Sequence, residues 1–348
     1  MDDAPHGRAR CCWQWKRDTS SDEVAGHVFT LLVVHELLAR SDAERARAAR
    51  LLCASVAYIQ DGGYKFIDPV SKKGTSWGYW DPAQLNGVPG KPNERGENSL
   101  ELLAFLAAAA KVCDASATPK GRFGDAFATM VSVHGYDRNV LNALATSPLS
   151  LATFDTRLAF MSYFTLALSV PHLVRRSLKQ PTSPHIPLSA AASAAFKGRL
   201  LTSIDRYWNE SGATITPQSS RVAFAASVHA YLSSADGAPP RGGTDASEYQ
   251  LRRYPLPPLV DWPSTNSHRH DVKLSRDWAA CPSADCGNGQ AIEGGSLPAD
   301  EALAIGSADF VTEPGARSVD GGGGKSENAP NSWLLAFWAS RYVARDAA

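Results

Sequence analysis

A chain of 348 residues is long enough to bury a sizeable core, as one large domain or two modest ones, and its 35 Lys plus Arg balance 35 Asp plus Glu. With no net field to draw in polyanions, neither nucleic acid nor an anionic membrane is an expected partner. The longest apolar stretch, 100–110, contains Glu101 and stops at Lys111, well short of the roughly 20 residues a bilayer crossing needs, so it reads as a buried helix.

In chain order, residues 1–16 carry charges and the Cys11–Cys12 pair but no apolar segment of signal-peptide type, so the expectation is either a soluble chain that stays inside or a start other than the native one. Helical periodicity then dominates, with apolar residues recurring at three- and four-residue spacing. It predicts helices at 22–40, 43–60, 99–114, 123–145, 156–170, 188–209 and 221–232, which pair in order as antiparallel hairpins. Between the second and third helices, residues 63–80 read as a β-hairpin: Tyr64-Lys65-Phe66-Ile67, a turn-rich stretch, then Thr75-Ser76-Trp77-Gly78-Tyr79-Trp80. Residues 81–96 form a Pro/Gly/Asn-rich loop longer than a simple connection requires.

After this helical body, 1–233, comes a Gly/Pro-rich linker at 234–253. The segment 254–348 follows, starting with a stretch in which Pro255, Pro257, Pro258 and Pro263 forbid regular helix, so it reads as extended chain wrapping the body. A Gly-rich loop comes next, and an aromatic helix at 332–345 docks back. The expected class is all-α, with a small β insertion.

Cys53 and Cys113 fall within apolar helical patterns and read as small, inert core residues. Cys11, Cys12, Cys281 and Cys286 lie in polar segments, with His268 and His270 before the last pair. Their irregular spacing matches no familiar zinc site, so no metal and no cofactor is expected. Walker, Rossmann and HExxH motifs are missing from the sequence, and an isoprenoid-type use of Asp18 and Asp22 to hold Mg²⁺ would need a second acidic motif.

Chemistry-bearing residues gather in two loop-to-helix entrances. The first runs from Trp15 through Asp18-Thr19-Ser20-Ser21-Asp22-Glu23 to Gly26-His27. Ser20 and Glu23 have the spacing of a capping box, while Asp18 and Asp22 exceed what capping needs, and Glu23 and His27 share a helical face. The second runs from Trp77 through Trp80 and Asp81 to Asn93-Glu94-Arg95-Gly96-Glu97-Asn98-Ser99. Asn98 and Glu101 are spaced as a capping box, leaving Glu94 and Arg95 unexplained. Strand alternation puts Trp77 and Tyr79 on one face and Trp80 on the other. An exposed indole stacks on a sugar ring while neighbouring carboxylates and amides bind its hydroxyls.

Helical hairpins in series, the Trp-rich segment after the first hairpin, and Asp18-Thr19-Ser20-Ser21-Asp22-Glu23 before Gly26-His27 together resemble the six-hairpin (α/α)-toroid glycosidase-like proteins. The likeness covers 15–208 in pattern and is closest to a largely uncharacterised subset with a tail similar to Leu-Leu-Pro-Tyr-Trp-x-x-Arg-Tyr. This chain has Leu334-Leu335-Ala336-Phe337-Trp338-Ala339-Ser340-Arg341-Tyr342, with Ala336 in place of proline. A complete toroid has twelve helices and eight are predicted here, so a partial toroid or a truncated chain is expected.

The resemblance implies a cavity at the inner-helix ends where paired acids and aromatics act on a glycan. In hydrolysis Asp22 is the leading acid or base, with a second carboxylate from Asp18, Glu23 or Glu94 and a stacking platform at Trp77 or Trp80. His27, Asp81, Arg95 and Asn98 complete the expected binding set. In a polyuronate lyase, Arg95 or Asn98 would neutralise the uronate. The alternative class is a non-catalytic glycan-binding pseudoenzyme or helical scaffold.

Overall fold

A computed structural model describes residues 19–87, 92–114, 120–143, 153–170, 186–212, 223–233, 273–274, 292–293 and 331–346. Asp18, the four cysteines of the polar segments, His268, His270, the linker and most of the wrapping segment lie outside the described residues. The described part is all-α with a small two-stranded insertion, 78% helix against 6% strand.

Helix α1 (Ser21–Val33) begins where the Ser20 backbone N–H donates to Glu23 Oε2 at 2.7 Å, and it buries Val24, Ala25, Val28, Phe29 and Leu32 along one side. It runs into a π-helical turn, Val34–Leu38, closed by Ala39 N–H on the Val34 carbonyl at 2.8 Å. Helix α2 (Asp42–Asp61) starts on Ser41, whose hydroxyl accepts from Glu44 N–H at 3.2 Å while Glu44 accepts from Arg40 N–H at 2.8 Å.

The hairpin pairs β1 (Lys65–Ile67) with β2 (Gly74–Tyr79) antiparallel, with an irregular register between Lys65 and Ile67. Its turn is built on the Asp68 carboxylate, which accepts from the Val70 and Ser71 N–H groups at 3.0 and 3.1 Å.

The expected long loop 81–96 is largely helical. A short α3 (Pro82–Gly87) starts on Asp81, and α4 (Pro92–Cys113) opens about two turns before the predicted start. From Leu100 to Ala110 every α4 residue is buried, which makes it the central helix; it packs on α7, α5, α1 and α2. The predicted helix 123–145 is broken into α5 (Arg122–Ser132), α6 (Tyr136–Asn139) and a 3₁₀ turn, Val140–Asn142. Gly135, at φ +69°, adopts a left-handed conformation that a continuous right-handed helix cannot contain.

The remaining helices are α7 (Thr153–Ser169), α8 (Ala190–Gly212), α9 (Ala223–Ser233) and α10 (Asn331–Asp346), with a β3–β4 pair, Lys273–Leu274 against Ile292–Glu293. Helix α10 packs on α9 and buries Ala336, Ala339 and Val343, and the Tyr342 ring meets Phe164 of α7 and Tyr231 of α9.

Helices α1, α4 and α7 run the same way. Their C-terminal ends meet at Lys111, whose ammonium lies 2.9 Å from Glu36 and donates to the Leu168 carbonyl at 2.6 Å. Helix α1 packs on both α4 and α7, with the Phe29 and Phe164 rings 6.1 Å apart.

Cys53 and Cys113 are not separate core residues: they form a disulfide joining α2 to the end of α4, with Cα atoms 5.8 Å apart. The periodicity of each helix marks its buried side but not which residue of another helix faces it. Among the described residues no helix is long and apolar enough to cross a membrane.

The approach of α4 to the 3₁₀ turn depends on Gly96. A Cβ there would overlap the backbone of Asn142 and Ala143. Gly96→Ala is therefore expected to lower stability by about 1–3 kcal/mol, read as a shifted urea midpoint. An unshifted midpoint would show that the contact relaxes without cost.

Candidate functional site

The two entrances meet. Ser20, at the start of α1, forms a parallel β-bridge with Trp77 of β2. Gly78, next along β2, is buried, and a Cβ there would lie within 3.4 Å of the Thr19 carbonyl, which shows how closely strand and helix start approach.

From β2 the chain turns inward. The Tyr79 hydroxyl donates to the Glu94 carboxylate, the Asn98 amide donates to the Tyr79 carbonyl at 2.9 Å, and the Trp80 indole N–H donates to Glu101 Oε2 at 2.8 Å. The Tyr136 hydroxyl, from α6, donates to the Trp80 carbonyl. Burial pushes the Tyr136 phenol far above its usual pKa, and the nearby Asp81 charge adds to the rise, so it stays protonated as the donor.

This geometry reassigns the expected site residues. Asp22 and His27 are exposed, and Asp22 accepts only a 3.2 Å bond from the neighbouring Ser21 hydroxyl among its described hydrogen bonds. Glu23 serves as the cap of α1 and also receives the Ser20 and Thr19 hydroxyls. Trp77 is 58% exposed, whereas Trp80 is 0% exposed and tied to Glu101, which removes Trp80 as a stacking platform.

Asp81 is buried as the cap of α3, accepting from Gln84 N–H at 3.0 Å with Lys65 Nζ 3.5 Å away. Arg95 is half-buried, its Nε donating to the Leu85 carbonyl at 2.6 Å. Asn98 and Glu101 make no capping box, because both lie inside α4 and are buried against the hairpin. Glu94 is half-buried at the first turn of α4, one hydrogen bond from Tyr79 and two strand residues from Trp77.

Sequence reasoning missed the partners. Glu94, Glu97, Asn98 and Glu101 recur at the i, i+3, i+4, i+7 spacing of one helix face, a stripe that becomes visible once Pro92 is taken as the first helical residue. Tyr163 of α7 lies within the field of Glu97. Burial lifts its phenol well above the usual range, the hydrogen bond with Ser203 opposes the rise, and Glu97 adds to it. His35, Glu36 and Lys111 at the far end of the bundle were missed because only the π-helical turn gives Glu36 its register with Lys111.

His229 of α9 is held below its ordinary pKa by burial, with Asp205 at 3.5 Å opposing that shift. Among the described residues no three His, Cys, Asp or Glu side chains group as a metal site. Compared with known proteins, the chain matches no family model, and no curated protein or solved structure matches it.

The Trp80–Glu101 hydrogen bond can be tested directly. Glu101→Leu leaves a buried indole N–H without its acceptor and is expected to cost about 1–3 kcal/mol, whereas Glu101→Gln keeps an acceptor and loses less. Equal losses in thermal unfolding would show that the hydrogen bond does not hold the hairpin.

Proposed function

We propose that this chain is a carbohydrate-active protein of the six-hairpin glycosidase-like kind, taking a glycan at the joined entrances with the Trp77 indole as its stacking platform. The observation that carries the reading is the 58% exposure of Trp77 beside the hydrogen-bonded Tyr79–Glu94 pair. An indole offers a flat apolar face that suits the C–H side of a pyranose, and carboxylates beside it suit the hydroxyls. The shared direction of α1, α4 and α7, whose C-terminal ends meet at Lys111, supports the inner ring of a partial (α/α) toroid. Since Phe29 and Phe164 fill the space between α1 and α7, the ligand on this reading lies across the N-terminal ends rather than along an open axis.

For hydrolysis the proton-transferring carboxyl is Glu94, half-buried and positioned by Tyr79; the exposed Asp22 is left as the second carboxylate. A uronate lyase is less well supported, because of the two groups expected to neutralise the uronate Arg95 has its Nε on the Leu85 carbonyl and Asn98 is buried on the Tyr79 carbonyl. The exposure of Asp22 favours a second reading, a glycan-binding protein without turnover.

A calorimetric and activity screen of neutral oligosaccharides and polyuronates separates these readings. Trp77→Ala is expected to weaken glycan binding about tenfold, or about 1.4 kcal/mol. Glu94→Gln is expected to cut hydrolysis by about a hundredfold or more while binding persists. Trp77-dependent binding with no turnover selects the second reading. Binding that is indifferent to Trp77→Ala contradicts both.

A further inference from the structure

We infer that this chain matures in an oxidising compartment, where Cys53–Cys113 closes as a permanent crosslink between α2 and α4. The two cysteines stand on different helices, 60 residues apart in sequence, with Cα atoms 5.8 Å apart. That separation lies inside the roughly 4.4–6.8 Å range that disulfides span.

Contacts that do not involve sulfur set this approach. Leu52, Val56 and Ile59 bury the inner side of α2 around Cys53, and Arg122 of α5 reaches back to Gln60 and Asp61 at the end of α2. Two residues before Cys113, Lys111 is held by Glu36 and the Leu168 carbonyl. Packing therefore presents the two thiols to each other in the folded chain, and oxidation requires no rearrangement of either helix.

Closing the bond removes one proton and one electron from each thiol. A disulfide of the oxidising machinery or of the small-thiol pool accepts both electrons and is itself reduced to two thiols. Once formed, the bond is shielded at one of its two sulfurs: Cys113 is 2% exposed and Cys53 is half-buried, so a thiolate, which must reach a sulfur in line, is kept from Cys113. A sulfur exchanged as a regulatory switch is ordinarily accessible; the Cys113 sulfur is built into the core, and Cys53 packs half-buried against it. Reducing compartments keep such pairs as thiols, so a permanent bond assigns the chain to an oxidising one.

The test is peptide mapping of the full chain taken from its own cells, acid-quenched, alkylated in denaturant without reductant and digested with trypsin. The expected product is residues 51–65 joined to residues 112–120, two hydrogens lighter than the sum, separating and taking up alkyl groups only after reduction. Recovery of both peptides separately and already alkylated overturns the inference. A second measurement uses the secreted recombinant chain. Added reductant is expected to lower the denaturation midpoint of wild type and to leave a Cys53→Ala/Cys113→Ala double variant unmoved. A wild-type midpoint insensitive to reductant, or a variant equally sensitive, overturns the claim that this pair is the crosslink that matters.

Discussion

The hairpin keeps its place because the Trp80 indole is buried whole with its N–H on Glu101. A buried donor without an acceptor costs about 1–3 kcal/mol, so this bond specifies where the strand may sit as much as how firmly. Asn98 takes the Tyr79 carbonyl and Tyr136 takes the Trp80 carbonyl, leaving β2 a single path into the helical body. The strand emerges from that anchorage with Trp77 outside, bridged to Ser20, and Tyr79 inside on Glu94. The exposed indole and the half-buried carboxyl are thus held by one polar ladder along α4.

At the other end of α4 the constraint changes in kind. Lys111 gathers the carboxylate of Glu36 and the terminal carbonyl of α7, placing a cation where helix dipoles end negative. The π-helical turn at Val34–Leu38 sets Glu36 in register for that contact, and the disulfide ties α2 to the same place. Held at both ends, α4 serves as the axis to which α1 and α7 are aligned.

Local chemistry made much of this legible. The Ser20–Glu23 cap, the hairpin around Asp68 and most helix bodies follow from spacing and turn residues within short windows. What escaped was tertiary. Asn98 and Glu101 have capping-box spacing because any two inward residues three apart on a helix share it; only the hairpin lying on them reveals them as interior partners. Strand alternation failed at Tyr79 and Trp80, both buried, because the strand gives way to the turn into α3 just there. Asp22 is exposed and Glu94 is sheltered beside Tyr79 for the same reason, since exposure is a property of packing and not of the local string.

We propose that Trp77 receives a ligand while Trp80 only holds the strand. The most direct test is a titration of the assigned indole N–H resonances with a panel of neutral oligosaccharides and polyuronates. The Trp77 resonance is expected to move and saturate with at least one class of glycan, with the Trp80 resonance held in place by Glu101. A Trp77 resonance that stays fixed across the whole panel, or a Trp80 resonance that moves instead, would contradict the account.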